Sequence, residues 1–150
     1  MLLRVKKKKL LLCIEAYGVM NINYLIEHLA DDNIKAIDNI LNMYITLLKK
    51  QPKDNFSGCM TNNIMSEIGS INKVIINATA KAFKNLLDVI ELAVQKAQKE
   101  GDISSSLGSK AVTELIHSTF FGVLTRTKST RDDQKAISTM SLLIKSPKTI

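Results

Sequence analysis

A chain of 150 residues with 45% hydrophobic and 23% charged side chains is long enough to bury one sizeable core and too apolar for a disordered polypeptide. Two prolines and six glycines are too few turn signals for an all-β protein, so helices are expected. The net charge of +7 suggests an acidic or nucleic-acid partner, but "RVKKKK" at residues 4–9 supplies five of those positive charges and leaves the remainder close to balanced.

Read from the N-terminus, residues 1–9 are expected to be a solvated basic tail ahead of one helical domain over 10–150. The apolar run Leu10–Ile14 is too short for an export leader, Glu15 interrupts it, and no small-residue cleavage site follows. No apolar segment approaches the roughly 20 residues that span a bilayer, so neither export nor membrane insertion is expected. Cys13 and Cys59 form no C-x-x-C pattern, which favours reduced thiols in the cytoplasm.

Leu11, Ile14, Gly18, Ile22, Leu25, Ile26 and Leu29 recur at helical spacing and predict a helix over 12–30, with a break near Gly18 left open. Asp31 or Asp32 is the expected cap of the next helix. Its stripe is Ile34, Ile37, Leu41, Tyr44 and Leu48, with Lys49 and Lys50 at its end and Pro52 as its stop. A short helix follows, with Ser57 as cap, Met60, Ile64 and Ile68 on one face, and Gly69 as its end.

The long helix predicted over 71–99 has a seam of Ile76, Ala80, Phe83, Leu87, Ile90, Val94 and Ala97. Three heptads suit a bundle helix better than an extended coiled coil, and Gly101 is the expected stop. Residues 109–126 predict another helix, whose main face is Val112, Leu115, Ile116, Thr119, Phe120, Val123 and Leu124. Its flank of Ser118, Phe121, Gly122 and Thr125 is apolar or small, so it is either buried in its own chain or meets a second chain. The last helix is expected from Thr130 to about Lys145, closed by Pro147.

Chemistry for catalysis is not recognisable. His28 and His117 stand in no metal-ligand spacing and read as surface or partly buried polar residues; Cys59 reads as a small buried hydrophobe. Neither G-x-x-x-x-G-K nor G-x-G-x-x-G occurs, so no phosphate cradle is expected. The reading is a non-enzyme with no catalytic residue, metal or cofactor.

"SGCMTNNIMSEIG", then "ELAVQKAQKEGDI", then "SKAVTELIHSTFFGVLTRTKSTRDDQKAISTMSLLIK" follow an order that resembles the C-terminal half of TetR-family transcriptional regulators over about residues 33–145. In that family a Gly-Cys pair often opens the sixth helix, here Gly58-Cys59. The seventh commonly closes with A-x-x-x-G-x-I/L, here from Ala97 to Ile103, and the eighth often carries an aromatic-Gly pair, here Phe121-Gly122.

The resemblance implies an all-α bundle of about six helices and a bacterial, cytoplasmic repressor-type regulator. It implies a homodimer joined through the last two helices of each copy, with Phe121, Gly122, Thr125, Ile137, Met140 and Ile144 as interface candidates. It also implies a pocket for a small apolar or amphipathic effector, with Tyr44, Leu47, Met60, Asn63, Phe83, Leu87 and Phe120 as candidates. Asn63 is the most informative, because an amide on an apolar face needs a partner from protein, water or ligand. DNA binding in the family uses a three-helix unit with a recognition helix, and no phrase for one is found here, so that part is expected to be absent or truncated. The alternative is a stand-alone helical interaction module whose basic tail meets an acidic partner or nucleic acid without sequence preference.

Overall fold

A computed structural model describes residues 2–68 and 72–146, with side chains from Lys6 onward. Among the described residues the elements are α1 (Leu2–Leu29), α2 (Ala36–Lys50), α3 (Met60–Ile68), α4 (Lys73–Lys99), α5 (Ser109–Thr130) and α6 (Asp133–Lys145), with no strand. The all-α expectation holds. Gly69 and Pro147, expected to end the short helix and to close the fold, lie outside the described residues.

Helix α1 departs most from its prediction. It starts at Leu2 and takes in the basic run, so residues 4–9 are helix rather than tail, and it continues unbroken through Gly18. Packing explains the continuity: a Cβ at position 18 would stand 3.5 Å from the Ala82 Cβ of α4, so the glycine lies where the two helices meet. Ile14 and Leu25 are sealed on that inner face, while Leu12, Val19 and Ile26 on the outer one are each more than half exposed. Lys6–Leu29 is also long and apolar enough to cross a bilayer, by length and composition alone. That corrects the expectation of no such segment: beyond Lys9 the stretch carries only Glu15 and Glu27 as charges, and its Tyr, Asn and Gly residues lower the mean hydropathy far less than charges do.

Helix α2 is capped from elsewhere in the chain. Its N-cap residue, Lys35, makes no capping bond of its own. The Glu100 carboxylate accepts from the Ala36 N–H at 2.8 Å, while Lys35 pairs with Asp102 and Lys96 with Asp32. The caps expected at Asp31 or Asp32 give way to this clamp because Ile34 stands before the helix, which begins two residues later. Asp31 instead offers its carbonyl to the Asn39 side chain at 2.8 Å.

Helix α4, of 27 residues, is about 40 Å long at 1.5 Å per residue and forms the spine. Asn72 caps it, its side chain accepting from the Val74 and Ile75 N–H groups. The C-terminal half of the predicted seam is right, since Ile90, Val94 and Ala97 are fully buried. The N-terminal half is shifted: Ile75 and Thr79 are buried, whereas Ile76 and Ala80 are exposed. Helix α1 lies along this stretch and selects the 75–79–82–86 face. Gly101, in a left-handed conformation at φ 81°, ends the turn as expected.

Helix α5 runs to Thr130, past its predicted end. Arg131 in a left-handed conformation closes it, and Asp132 caps α6 by accepting from the Lys135 N–H at 2.9 Å. Helix α6 packs on α2 and α5 through Ala136, Met140 and Ile144, all buried. One main core joins α1, α2, α4, α5 and α6, and a smaller cluster of Ile14, Ile64 and Ile75 lies under α3.

Candidate functional site

The bundle leaves a cavity of about 610 Å³, partly open to solvent, lined by α1, α2, α3, α4, α5 and the loop between α2 and α3. That volume falls within the range typical of small-molecule sites. A second depression, between α5 and α6, holds only about 20 Å³, room for a water and little else.

The rim formed by the 51–58 loop is tied to its neighbours by side-chain hydrogen bonds. Gln51 is buried; its Oε1 accepts from the Gly58 N–H at 3.1 Å and its Nε2 donates to the Leu47 carbonyl at 3.3 Å. Asn55 and Phe56 both take positive φ, and Arg131 donates to the Asn55 carbonyl and Oδ1 while lying over the Phe56 ring at 5.3 Å. Gly58, at φ 77°, turns the chain into α3, and a Cβ there would stand 2.9 Å from the Lys128 Cε. The loop is thus tied to the α5–α6 junction.

An aromatic cluster forms the inner wall. The Tyr44 hydroxyl and His117 Nδ1 are 2.9 Å apart and both residues are buried. The His117 ring centre lies 5.7 Å from that of Phe120, 4.5 Å from Phe121 and 5.5 Å from Phe83. Burial pushes the imidazole down to about 3, so His117 is neutral at pH 7, and burial likewise raises the Tyr44 hydroxyl. His117 Nε2 and the Tyr24 hydroxyl are buried without a hydrogen-bond partner among the described residues, and both residues line the cavity. A buried polar group left so costs about 1–3 kcal/mol, which a ligand or water that pairs with it returns.

Tyr17 faces Cys59, its hydroxyl 3.8 Å from the thiol, and is pushed up to about 12 by burial first and by Cys59 second. Burial and then Glu27 raise Tyr24, whose ring stacks on His28 and carries the Lys50 ammonium at 4.6 Å.

Of the seven pocket candidates, Tyr44, Leu47, Met60, Asn63 and Phe120 line this cavity. Phe83 stands one layer behind, against His117 and Phe121, and Leu87 is not among the lining residues, because the α4 side chain that reaches the wall is Leu86. Asn63 has partners within the protein: its Nδ2 donates to the Ser57 carbonyl at 2.9 Å and its Oδ1 accepts from Lys128. Sequence reasoning missed His117, Tyr17 and Tyr24. The signal for His117 was its register, three residues before Phe120 on the buried stripe of α5.

Of the six interface candidates, Gly122 and Thr125 are exposed, Ile137 is half-buried and Phe121 lines the cavity. Met140 and Ile144 are corrections: at 0% and 2% exposure they belong to the chain's own core, because α6 turns that stripe onto α2. Among the exposed positions of these helices, Ala111, Leu115, Ser118, Gly122 and Thr125 form a stripe of small or apolar side chains on α5, with Ser138 and Leu142 on α6, and charged residues such as Lys110, Glu114 and Arg126 lie beside it.

No curated protein matches the chain in sequence. Among solved structures, the regulatory protein TetR from Rhodobacter sphaeroides shares the fold with a TM-score of 0.82 at 17% identity, over 90% of this chain and 71% of that one. The family described as "Tetracyclin repressor-like, C-terminal domain" matches residues 34–143, from just before α2 into α6. With the matched region spanning most of an α-only bundle, the chain belongs to the TetR family of regulators, as its C-terminal domain.

Proposed function

We propose that this domain senses a small apolar or amphipathic effector and dimerises, as the regulatory half of a repressor-type, cytoplasmic transcription factor. The observation that carries the reading is the cavity: about 610 Å³, walled by aromatic and aliphatic side chains, with two buried polar groups, on Tyr24 and His117, left unpaired among the described residues. Catalysis is not part of this reading. DNA contact belongs to a helix-turn-helix unit and not to the six helices described here. Helix α1 is read as part of the bundle rather than as a membrane span, since Ile14 and Leu25 seal it onto its neighbours.

Binding of naphthalene-sized apolar compounds, followed by calorimetry and thermal melting, tests the sensing function. Saturating compound is expected to raise the melting temperature, since a ligand at a hundredfold its Kd adds about 2.7 kcal/mol. Replacing Leu47 by Trp, which puts an indole into the cavity from α2, is expected to diminish the shift. Wild-type protein that binds none of a panel of such compounds at millimolar concentration overturns the reading.

A further inference from the structure

We propose that the effector is an uncharged apolar compound bearing a carbonyl group, whose oxygen accepts a hydrogen bond from His117 Nε2–H at the aromatic wall of the cavity. The proposal rests on the reading of the cavity as an effector site and names its ligand chemistry.

The assignment follows from hydrogen-bond accounting. Tyr44 is 0% exposed, and its hydroxyl hydrogen must find an acceptor. His117 Nδ1, 2.9 Å away, is the partner the hydroxyl has in the structure. Nδ1 therefore accepts, and the ring proton of the neutral imidazole is on Nε2. That N–H is buried, has no partner among the described residues and belongs to a side chain lining the cavity. A donor so placed selects a ligand with an acceptor.

Two further observations narrow the acceptor to a neutral one. The imidazole is enclosed by Phe83, Phe120 and Phe121, an environment that would strip an anion of water and return no counter-charge. The charged side chains lining the cavity, Lys50 and Asp54, are opposite in sign and solvent-exposed, and the Lys50 ammonium already lies over the Tyr24 ring. The Tyr24 hydroxyl, likewise buried and unpaired, offers a second donor to the same or another oxygen of the ligand.

The test compares three probes of one shape on the whole chain at pH 7 by calorimetry: 2-acetylnaphthalene, 2-isopropylnaphthalene and 2-naphthoate. The acetyl compound is expected to bind about tenfold more tightly than the isopropyl compound, a difference of about 1.4 kcal/mol. His117→Phe should erase that preference while keeping the isopropyl compound bound. Because Tyr44 loses its acceptor in that variant, the pair His117→Phe with Tyr44→Phe serves where the single variant does not fold. Independently, ¹⁵N spectra of the wild-type imidazole should show a protonated Nε2 and a bare Nδ1, with Nε2 shifting on addition of 2-acetylnaphthalene.

Equal or tighter binding of the isopropyl compound overturns the carbonyl assignment and leaves the effector site standing. Tightest binding of 2-naphthoate overturns it in favour of an acid. The opposite tautomer in the ¹⁵N spectra also overturns it. Binding of none of the three removes the effector reading itself, and the carbonyl with it.

Discussion

His117 shows how one side chain can be placed correctly by register and misread by type. Its position, three before Phe120 and four after Thr113, puts it on the stripe of α5 that the apolar residues define, and it is 3% exposed. Polarity argued for the surface; the Tyr44 hydroxyl, out of sight in the sequence because it is 73 residues away, is what makes burial tolerable. The consequence is a pH dependence with a definite sign. The folded imidazole titrates at about 3, well under the 6.5 of an exposed one, so between those values the unfolded chain binds the extra proton. Stability contributed by neutral His117 is complete above pH 6.5 and is lost as the pH falls, at up to about 1.4 kcal/mol per unit. Urea unfolding at pH 7 and pH 5 should show this loss, and His117→Phe should flatten it; an unchanged slope in the variant would assign the acid sensitivity to other groups. Gly58 is a second such position. At φ 77° with the Lys128 Cε in the way, Gly58→Ala is expected to cost about 1–2 kcal/mol in the same experiment. The Gly-Cys phrase was legible as a helix opening, and its cause, a left-handed turn, is visible only in the fold.

At the level of helices, periodicity located α2, α4, α5 and α6, and failed where two neighbours competed for one helix. The seam of α4 drawn through Ile76 and Ala80 is a good helical stripe; α1 chooses the adjacent one through Ile75 and Thr79, and nothing in either local pattern states which. Gly18 reports that choice. Read alone, it weakens α1; packed, it faces Ala82 with a Cβ-to-Cβ distance of 3.5 Å that an alanine would meet as ordinary contact. Gly18→Ala should therefore stabilise the domain by a fraction of the roughly 1 kcal/mol helix-propensity difference. Gly18→Leu should destabilise it, because a longer side chain forces α1 off α4. Opposite shifts of the melting temperature check both; a stabilising leucine would mean that α1 does not pack as described. The clamp at the other end of α4 is equally non-local. Glu100→Ala removes the acceptor for the Ala36 N–H and should cost about 1 kcal/mol, as loss of an N-cap does.

The architecture of the whole bundle was readable because its pieces recur in one order, whereas the interface was not, since a monomer core and a dimer seam share the same apolar grammar. Met140 and Ile144 look like seam residues and are core, while the exposed face that remains holds, beside the charged Lys110, Glu114 and Arg126, one stripe of small or apolar side chains: Ala111, Leu115, Ser118, Gly122 and Thr125 at three- and four-residue steps, near Leu142 at 71% exposure. Small side chains let two helices approach closely, and an exposed leucine loses roughly 25 cal/mol for every Å² kept in water. On the proposed function this face meets its copy, and light scattering at tens of micromolar should return twice the mass of the chain. Gly122 separates this from a purely structural role. Nothing lies within 4 Å of a Cβ placed there, so Gly122→Leu has open space in the monomer and gains helix propensity. In a dimer the same side chain would hold the two α5 helices apart. The variant is expected to melt as a well-folded domain with unchanged circular dichroism while its dimer dissociates at far higher concentration than the wild type. Should Gly122→Leu associate as tightly as the wild type, the copies meet elsewhere, and the stripe on α5 is solvent-facing surface.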